Sequence, residues 1–308
     1  MKVVFMGTPD FAVASLEALI KEHKVVCVVC QPDKPKGRGK KMVFPVVKEK
    51  ALEAGIEVLQ PEKINDEEFM DKLESYGADI FVVAAYGQIL CERILNMPKY
   101  GCINVHGSLL PKYRGAGPIQ LSIMEGCDKT GVTIMYMEEG LDSGDMLSKA
   151  ECEITKDDTY ATMTQKLADI GAKLLIETMK DIENGTAVRV PQNHEESTYA
   201  PMISRETGHI DWSKSAEEID CLARGLDPQP AAYTVYNGEV LKIFRVQPVD
   251  KEYGLLCGTI AETDKKGFIV QCGKGSARVV MLQAKGGKIM SADAYMRGHK
   301  IETGVVLE

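Results

Sequence analysis

The chain has 308 residues, 44% of them apolar and 27% charged, and a formal net charge of −8. This is the composition of a globular protein that buries a core in about two domains of roughly 150 residues each, and its acidic balance does not advertise a nucleic-acid binder. No apolar run approaches the roughly 20 residues of a membrane span, and the apolar start Met1 to Met6 runs into Gly7-Thr8-Pro9 without a secretion-cleavage pattern, so no membrane partner is expected. Nine cysteines without a regular framework, an odd number, point to the reducing cytoplasm. Cys27 and Cys30 lie three apart in a β-branched run, where they face opposite ways and cannot share a metal. The five histidines form no ligand motif, and no metal is expected.

In chain order, residues 2–6 read as a buried parallel strand, the turn Gly7-Thr8-Pro9-Asp10 leads into a helix over 11–20, and 25–30 is a second buried strand. This βαβ opening predicts an α/β domain with a mostly parallel sheet, Rossmann-like in type. Gly7 stands alone in its turn, so the G-x-G-x-x-G of a nicotinamide site is missing. Residues 34–48 hold six basic groups (Lys34, Lys36, Arg38, Lys40, Lys41, Lys48) and no acid, with Pro35, Gly37 and Gly39 keeping the segment open. In an acidic chain such a run makes a local anion-binding patch. A helix over 44–54 and a short strand over 57–59 follow, and Asn65 with Glu68 has the spacing of a capping box. Residues 79–85 are another buried strand, ending in Tyr86-Gly87-Gln88-Ile89-Leu90, where open α/β sheets place ligands.

The segment 101–115 is the candidate for chemistry, though Asn-x-His alone also fits a polar strand end facing water. Asn104 and His106 are two apart on an apolar strand and therefore share one face at its end. Gly107 and Ser108 then turn the chain and leave room for a ligand. An amide donor beside a proton-moving imidazole suits the tetrahedral intermediate of acyl transfer. A short helix is expected over 117–126 and an alternating strand over 132–137. That strand delivers Gly140-Leu141-Asp142-Ser143-Gly144-Asp145, in which Asp142, between two glycines, can orient His106, while Asp145 is the weaker candidate. A strand over 146–154 and a long helix over 159–184 lead into an irregular connector over 186–209. Trp212, a packing anchor, precedes a helix over 216–226, and regularly spaced short strands from residue 234 onward suggest a small barrel. Residues 265–300 hold eight Lys or Arg against one acid, Asp293, a stretch able to track a phosphate backbone.

Taken together, Asn104-Val105-His106-Gly107-Ser108-Leu109-Leu110-Pro111-Lys112-Tyr113-Arg114-Gly115, the blocks at 7–12 and 140–145, and the basic loop at 31–41 resemble the 10-formyltetrahydrofolate-dependent formyltransferases along the whole chain. Gly107 after the histidine is similar to the methionyl-tRNA, sugar-nucleotide and dehydrogenase branches, and the basic loop is similar to one typical of the methionyl-tRNA formyltransferases. The resemblance implies Asn104, His106 and Asp142 as catalytic residues. It implies a folate site walled by Ser108, Leu109, Leu110, Pro111 and by Tyr86, Gly87, Gln88, Ile89, Leu90, and tRNA contacts at Arg38, Lys40 and Lys41. The formyl donor would be 10-formyltetrahydrofolate, the acceptor the amine of methionine on initiator tRNA, and the enzyme a monomer. A formyltransferase domain over 1–189, a linker over 190–206 and a C-terminal oligonucleotide-binding-type (OB-like) barrel over 207–308 are expected. A sugar-nucleotide N-formyltransferase, using the same core without need of the basic loop, and a non-catalytic RNA-binding protein are the competing readings.

Overall fold

The computed structural model describes residues 1–36 and 41–308. Two compact units are present. The first comprises residues 1–118, 129–153 and 164–201, and the second 119–128, 154–163 and 202–308.

The first unit is built on β1 (Lys2–Gly7) and β2 (Lys24–Val29), followed by a hairpin of β3 (Lys34–Lys36) and β4 (Lys41–Val43). Then come β5 (Val58–Leu59), β6 (Ile80–Ala84), β7 (Cys102–His106), β8 (Arg114–Gly115), β9 (Lys129–Tyr136), β10 (Met146–Glu153) and β11 (Tyr199–Ala200). Seven of these strands form one sheet in the order β10-β9-β7-β6-β1-β2-β5. Its pairs are parallel from β7 to β5, and β9 and β10 add antiparallel at the other edge. The mostly parallel α/β sheet read from the sequence is therefore present. β6 and β7 are buried at every position, as expected of strands covered on both faces.

Three local expectations need correction. The strand expected to alternate over 132–137 is instead buried without a break from Thr130 to Met135, because β9 lies inside the sheet between β7 and β10. Asn65 does not cap the helix Glu67–Ser75, whose N-cap is Asp66 with no side-chain bond. The Asn65 amide instead accepts from Cys91 N–H and donates to the Ile89 carbonyl, both at 3.0 Å. Lys48 is not part of a free cationic patch, because its ammonium is held by Asp33 at 2.7 Å and by the Gln60 amide oxygen at 2.7 Å.

In the second unit β12 (Ala232–Tyr236), β13 (Glu239–Val249), β14 (Ile260–Asp264), β15 (Gly267–Gln271), β16 (Ser276–Ala284) and β17 (Met290–Ser291) form an antiparallel sheet. The tail bridges its two edges. Glu308 exchanges backbone hydrogen bonds with Val235 of β12, and Val305 accepts from Ile260 of β14 at 2.8 Å. Trp212 lies in the core beneath, its indole N–H donating to Thr234 Oγ1 at 3.1 Å. The basic character of 265–300 is partly neutralised, since Arg278, Lys285, Arg297 and Lys300 pair with Asp264, Glu239, Asp293 and Glu302. Among the described residues no helix is long and apolar enough to cross a membrane, and no three His, Cys, Asp or Glu gather as a metal site.

Candidate active site

The pairing of β7 with β6 sets Asn104 beside Val83 at the carboxyl end of the sheet, and the pairing with β9 sets Asn104 opposite Met135. The last residue of β9, Tyr136, pairs with Ile103 at the other end of β7, and the chain that leaves it doubles back to bring Asp142 to Asn104 and His106. Asp142 sits in this turn with φ +46°, outside the right-handed backbone that L-residues prefer. Gly144 beside it has no alternative, since a Cβ there would fall on the carbonyl oxygen of Tyr136. The turn brings Asp142, distant in sequence, to the neighbouring pair Asn104 and His106. Asn104 Nδ2 lies 3.4 Å from Asp142 Oδ1, and His106 Nδ1 lies 3.6 Å from Asp142 Oδ2. Asn104 is 9% and His106 5% exposed, so both work in a largely desolvated setting.

The imidazole is fixed from its other side. His106 Nε2 lies 2.9 Å from the carbonyl oxygen of Tyr113, which can only accept, so this nitrogen carries a proton. Nδ1 is turned toward the Asp142 carboxylate. Tyr113 has φ +60°, and the backbone N–H of Gly115 donates to Asp142 Oδ2 at 2.8 Å. Strained residues of this kind, roughly 1–2 kcal/mol each, persist where the surroundings over-determine them. Asp145 is tied to Arg189 at 2.9 Å and serves the loop.

Ser108 to Pro111 follow the histidine at the same edge. Ser108 is fully buried and donates to the Lys112 carbonyl at 2.7 Å, and Leu110 is buried, while Leu109 and Pro111 are half-buried. Two residues that sequence reasoning missed shape this turn. The Thr133 hydroxyl accepts from Leu110 N–H at 3.1 Å and donates to the Ser108 carbonyl at 2.7 Å. Lys149 donates to the Leu110 carbonyl at 2.5 Å, and burial holds its ammonium below the ordinary lysine value. The signal for Thr133 was a polar residue inside an apolar strand.

The turn 86–90 is divided between core and surface. Tyr86 and Leu90 are buried in the core, Gly87 and Ile89 are exposed, and Gln88 ties the turn to the preceding segment by accepting from Ile64 N–H at 2.9 Å and donating to the Pro61 carbonyl at 3.2 Å. The Tyr86 carbonyl accepts from Thr8 and Gln31, at 3.3 and 3.2 Å. These two line a cavity of about 270 Å³ walled by Pro32, Lys34, Phe44 and Pro45 at the base of the β3–β4 hairpin. Gly7 pairs with Ala84 and Val83 with Asn104, so Thr8 leaves β1 at the same carboxyl edge of the sheet, two strands from Asn104. Arg38 and Lys40 lie outside the described residues, and of Lys41 only the backbone, in β4, is described.

Comparison with known proteins agrees with this geometry. Residues 1–179 match the formyl transferase family and residues 202–300 the formyl transferase C-terminal domain. The chain belongs to the formyltransferase family. It is 50% identical to the methionyl-tRNA formyltransferase of Agathobacter rectalis over 305 residues, 99% of this chain and 98% of the relative. It is 48% identical to that of Acetivibrio thermocellus over 309 residues, 100% of this chain and 99% of the relative. Among solved structures, an N-formyltransferase from Helicobacter canadensis in complex with folinic acid and dTDP-3-aminofucose covers 92% of this chain and 100% of its own at a TM-score of 0.67 and 20% identity, a likeness of fold. The family resemblance read from the motifs is therefore borne out, and the formyltransferase is an enzyme with a two-part architecture.

Proposed function

We propose that this formyltransferase moves the formyl group of 10-formyltetrahydrofolate onto the amino group of methionine esterified to initiator tRNA. The observation that carries the reading is the convergence of Asn104, His106 and Asp142 at one sheet edge. When the neutral amine attacks the formyl carbon, the carbonyl electron pair moves to oxygen. Asn104, with an amide N–H not engaged by Asp142, donates to that oxygen. His106 accepts the amine proton at Nδ1, and Asp142 stabilises the resulting imidazolium. When the bond from the formyl carbon to N10 breaks, His106 returns the proton to N10, so proton and electron pairs balance. No metal enters this scheme.

The turns at 86–90 and 108–111 are assigned to the folate donor, and Arg38, Lys40 and Lys41 to the tRNA acceptor end. Support for a tRNA acceptor comes from the two relatives that carry this name over nearly their whole length. Further support is the basic hairpin beside an open cavity on the catalytic edge. The intact catalytic trio argues against a protein that binds RNA without turnover.

The test is formyl transfer from 10-formyltetrahydrofolate to charged initiator tRNA, charged elongator tRNA and a UDP-amino sugar. Initiator tRNA is expected to be preferred, and preference for the sugar would end the proposal. Arg38→Ala should weaken tRNA use and lower the salt dependence by about one unit of slope, as for removal of one phosphate contact.

A further inference from the structure

Gln192 lies between the helix Tyr160–Asn184 and β11 and is 5% exposed. Every hydrogen-bonding position of its amide is occupied. Nε2 donates to the carbonyls of Asp142 at 2.9 Å and Gly144 at 2.8 Å. Oε1 accepts from Arg114 Nε at 3.0 Å and Nη2 at 2.7 Å. A side-chain amide has two donors and two acceptor sites, so this one is saturated.

The two sides of this clamp are the two loops that build the catalytic centre. One side is the turn that presents the Asp142 carboxylate. The other is Arg114, whose neighbours are Tyr113, which holds His106 through its carbonyl, and Gly115, whose N–H holds Asp142. The same stretch grips the second loop again, since Thr198 Oγ1 accepts from Tyr113 N–H at 2.8 Å and the Thr198 carbonyl accepts from Arg114 N–H at 2.9 Å. β11 then pairs with β8.

We infer that Gln192 is a positioning residue for formyl transfer, clamping the Asp142 turn to the 113–115 turn so that carboxylate and imidazole face each other. The clamp explains how Asp142 and Tyr113 hold positive φ values at adjoining positions. It also requires an amide specifically. A glutamate would keep the partnership with Arg114 but set a carboxylate oxygen against the Asp142 and Gly144 carbonyl oxygens, which can only accept. The inference rests on the formyl-transfer reading of the site.

Gln192→Met removes both sides of the clamp, and Gln192→Glu removes only the Asp142 side. Asn193→Ala, which removes the cap of the short exposed helix His194–Glu196, is the control for general loosening of this stretch. kcat, KM for each substrate and melting temperature are measured on all three, with the 15N spectrum of the His106 ring as a readout independent of turnover. Both Gln192 variants should lose kcat by about tenfold to a hundredfold, the scale of a catalytic group displaced by about 1 Å. KM should stay within about threefold, the His106 signals should shift, and Asn193→Ala should keep wild-type kcat. Should Gln192→Met fail to fold, Gln192→Glu, which keeps the tie to Arg114, carries the test. Wild-type kcat and an unmoved His106 spectrum in Gln192→Glu would overturn the inference. So would a loss of kcat matched by Asn193→Ala. A wild-type protein that formylates nothing would sink the functional reading instead, and the His106 spectrum would still decide whether Gln192 positions the site.

Discussion

The backbone N–H of Gly115 donates to Asp142 Oδ2 at 2.8 Å, and that same oxygen is the one facing His106 Nδ1 at 3.6 Å. A main-chain donor thus fixes the carboxylate that faces the imidazole. Gly115 has φ +110°, and a Cβ there would approach the Ala200 carbonyl oxygen to 2.6 Å and the Tyr199 ring to 2.7 Å. Gly115→Ala is expected to lower stability by about 1–3 kcal/mol through strain and crowding, and to lower kcat at least tenfold by moving the N–H away from Asp142. Thermal melting and steady-state kinetics on one preparation check both. An unchanged kcat would show that this bond does not hold the carboxylate for catalysis.

Asn104 is assigned the developing oxyanion. Asn104→Ala should lower kcat by about 10²–10³, the roughly 2.7–4 kcal/mol typical of one lost oxyanion donor, with little change in either KM. His106→Ala removes the proton-handling group and should reduce turnover by about 10²–10⁴ while leaving tRNA binding intact. Kinetics alongside filter binding of charged tRNA separate the two effects. A mainly KM-based loss in Asn104→Ala would reassign it to substrate binding.

Thr133 holds both ends of the turn after the histidine with one hydroxyl. Thr133→Val keeps the shape and leaves Leu110 N–H and the Ser108 carbonyl short of a partner in the core. Each unsatisfied buried group costs about 1–3 kcal/mol. The expected result is a lower melting temperature and a raised KM for the folate donor, with Thr133→Ser restoring both. Equal KM values in Thr133→Val and wild type would separate this turn from donor binding.

Hydrogen bonds from Gln60 and then from Lys48 hold the Asp33 carboxyl below its ordinary value of 3.8 at the base of the hairpin. A carboxylate with a depressed folded value contributes stability above its unfolded value and loses it as pH falls through the folded one. The wild type should therefore melt higher than Asp33→Asn near neutral pH. The difference should shrink once the pH drops below 3.8 and vanish below the depressed value. A difference that stays constant down to strongly acid pH would assign the effect to packing rather than charge.

Much of the fold was legible in the chain. The apolar runs at β1, β6 and β7 are long enough and bounded sharply enough to identify buried parallel strands, and the trio Asn104, His106, Asp142 was picked out by the motifs that carry the family resemblance. Errors arose where a polar residue has two possible partners. Asn65 has the spacing of a cap but bonds across to the turn at 89–91, and the strand over 132–137 reads as alternating, yet Thr133 within it is buried and bonds to the turn after the histidine. Lys48 counts as a cation in the sequence yet is internally neutralised by Asp33.

By itself the sequence determined what local geometry determines. Two residues apart on a strand share a face, so Asn104 and His106 stand side by side whatever surrounds them. Tertiary structure alone decided which groups meet them from elsewhere: the Tyr113 carbonyl behind the ring, the Gly115 N–H on the carboxylate, and Gln192 binding two loops together. Strand periodicity is a property of consecutive bonds, whereas a hydrogen bond between residues 50 apart exists only once the packing of the whole domain has brought them within 3 Å.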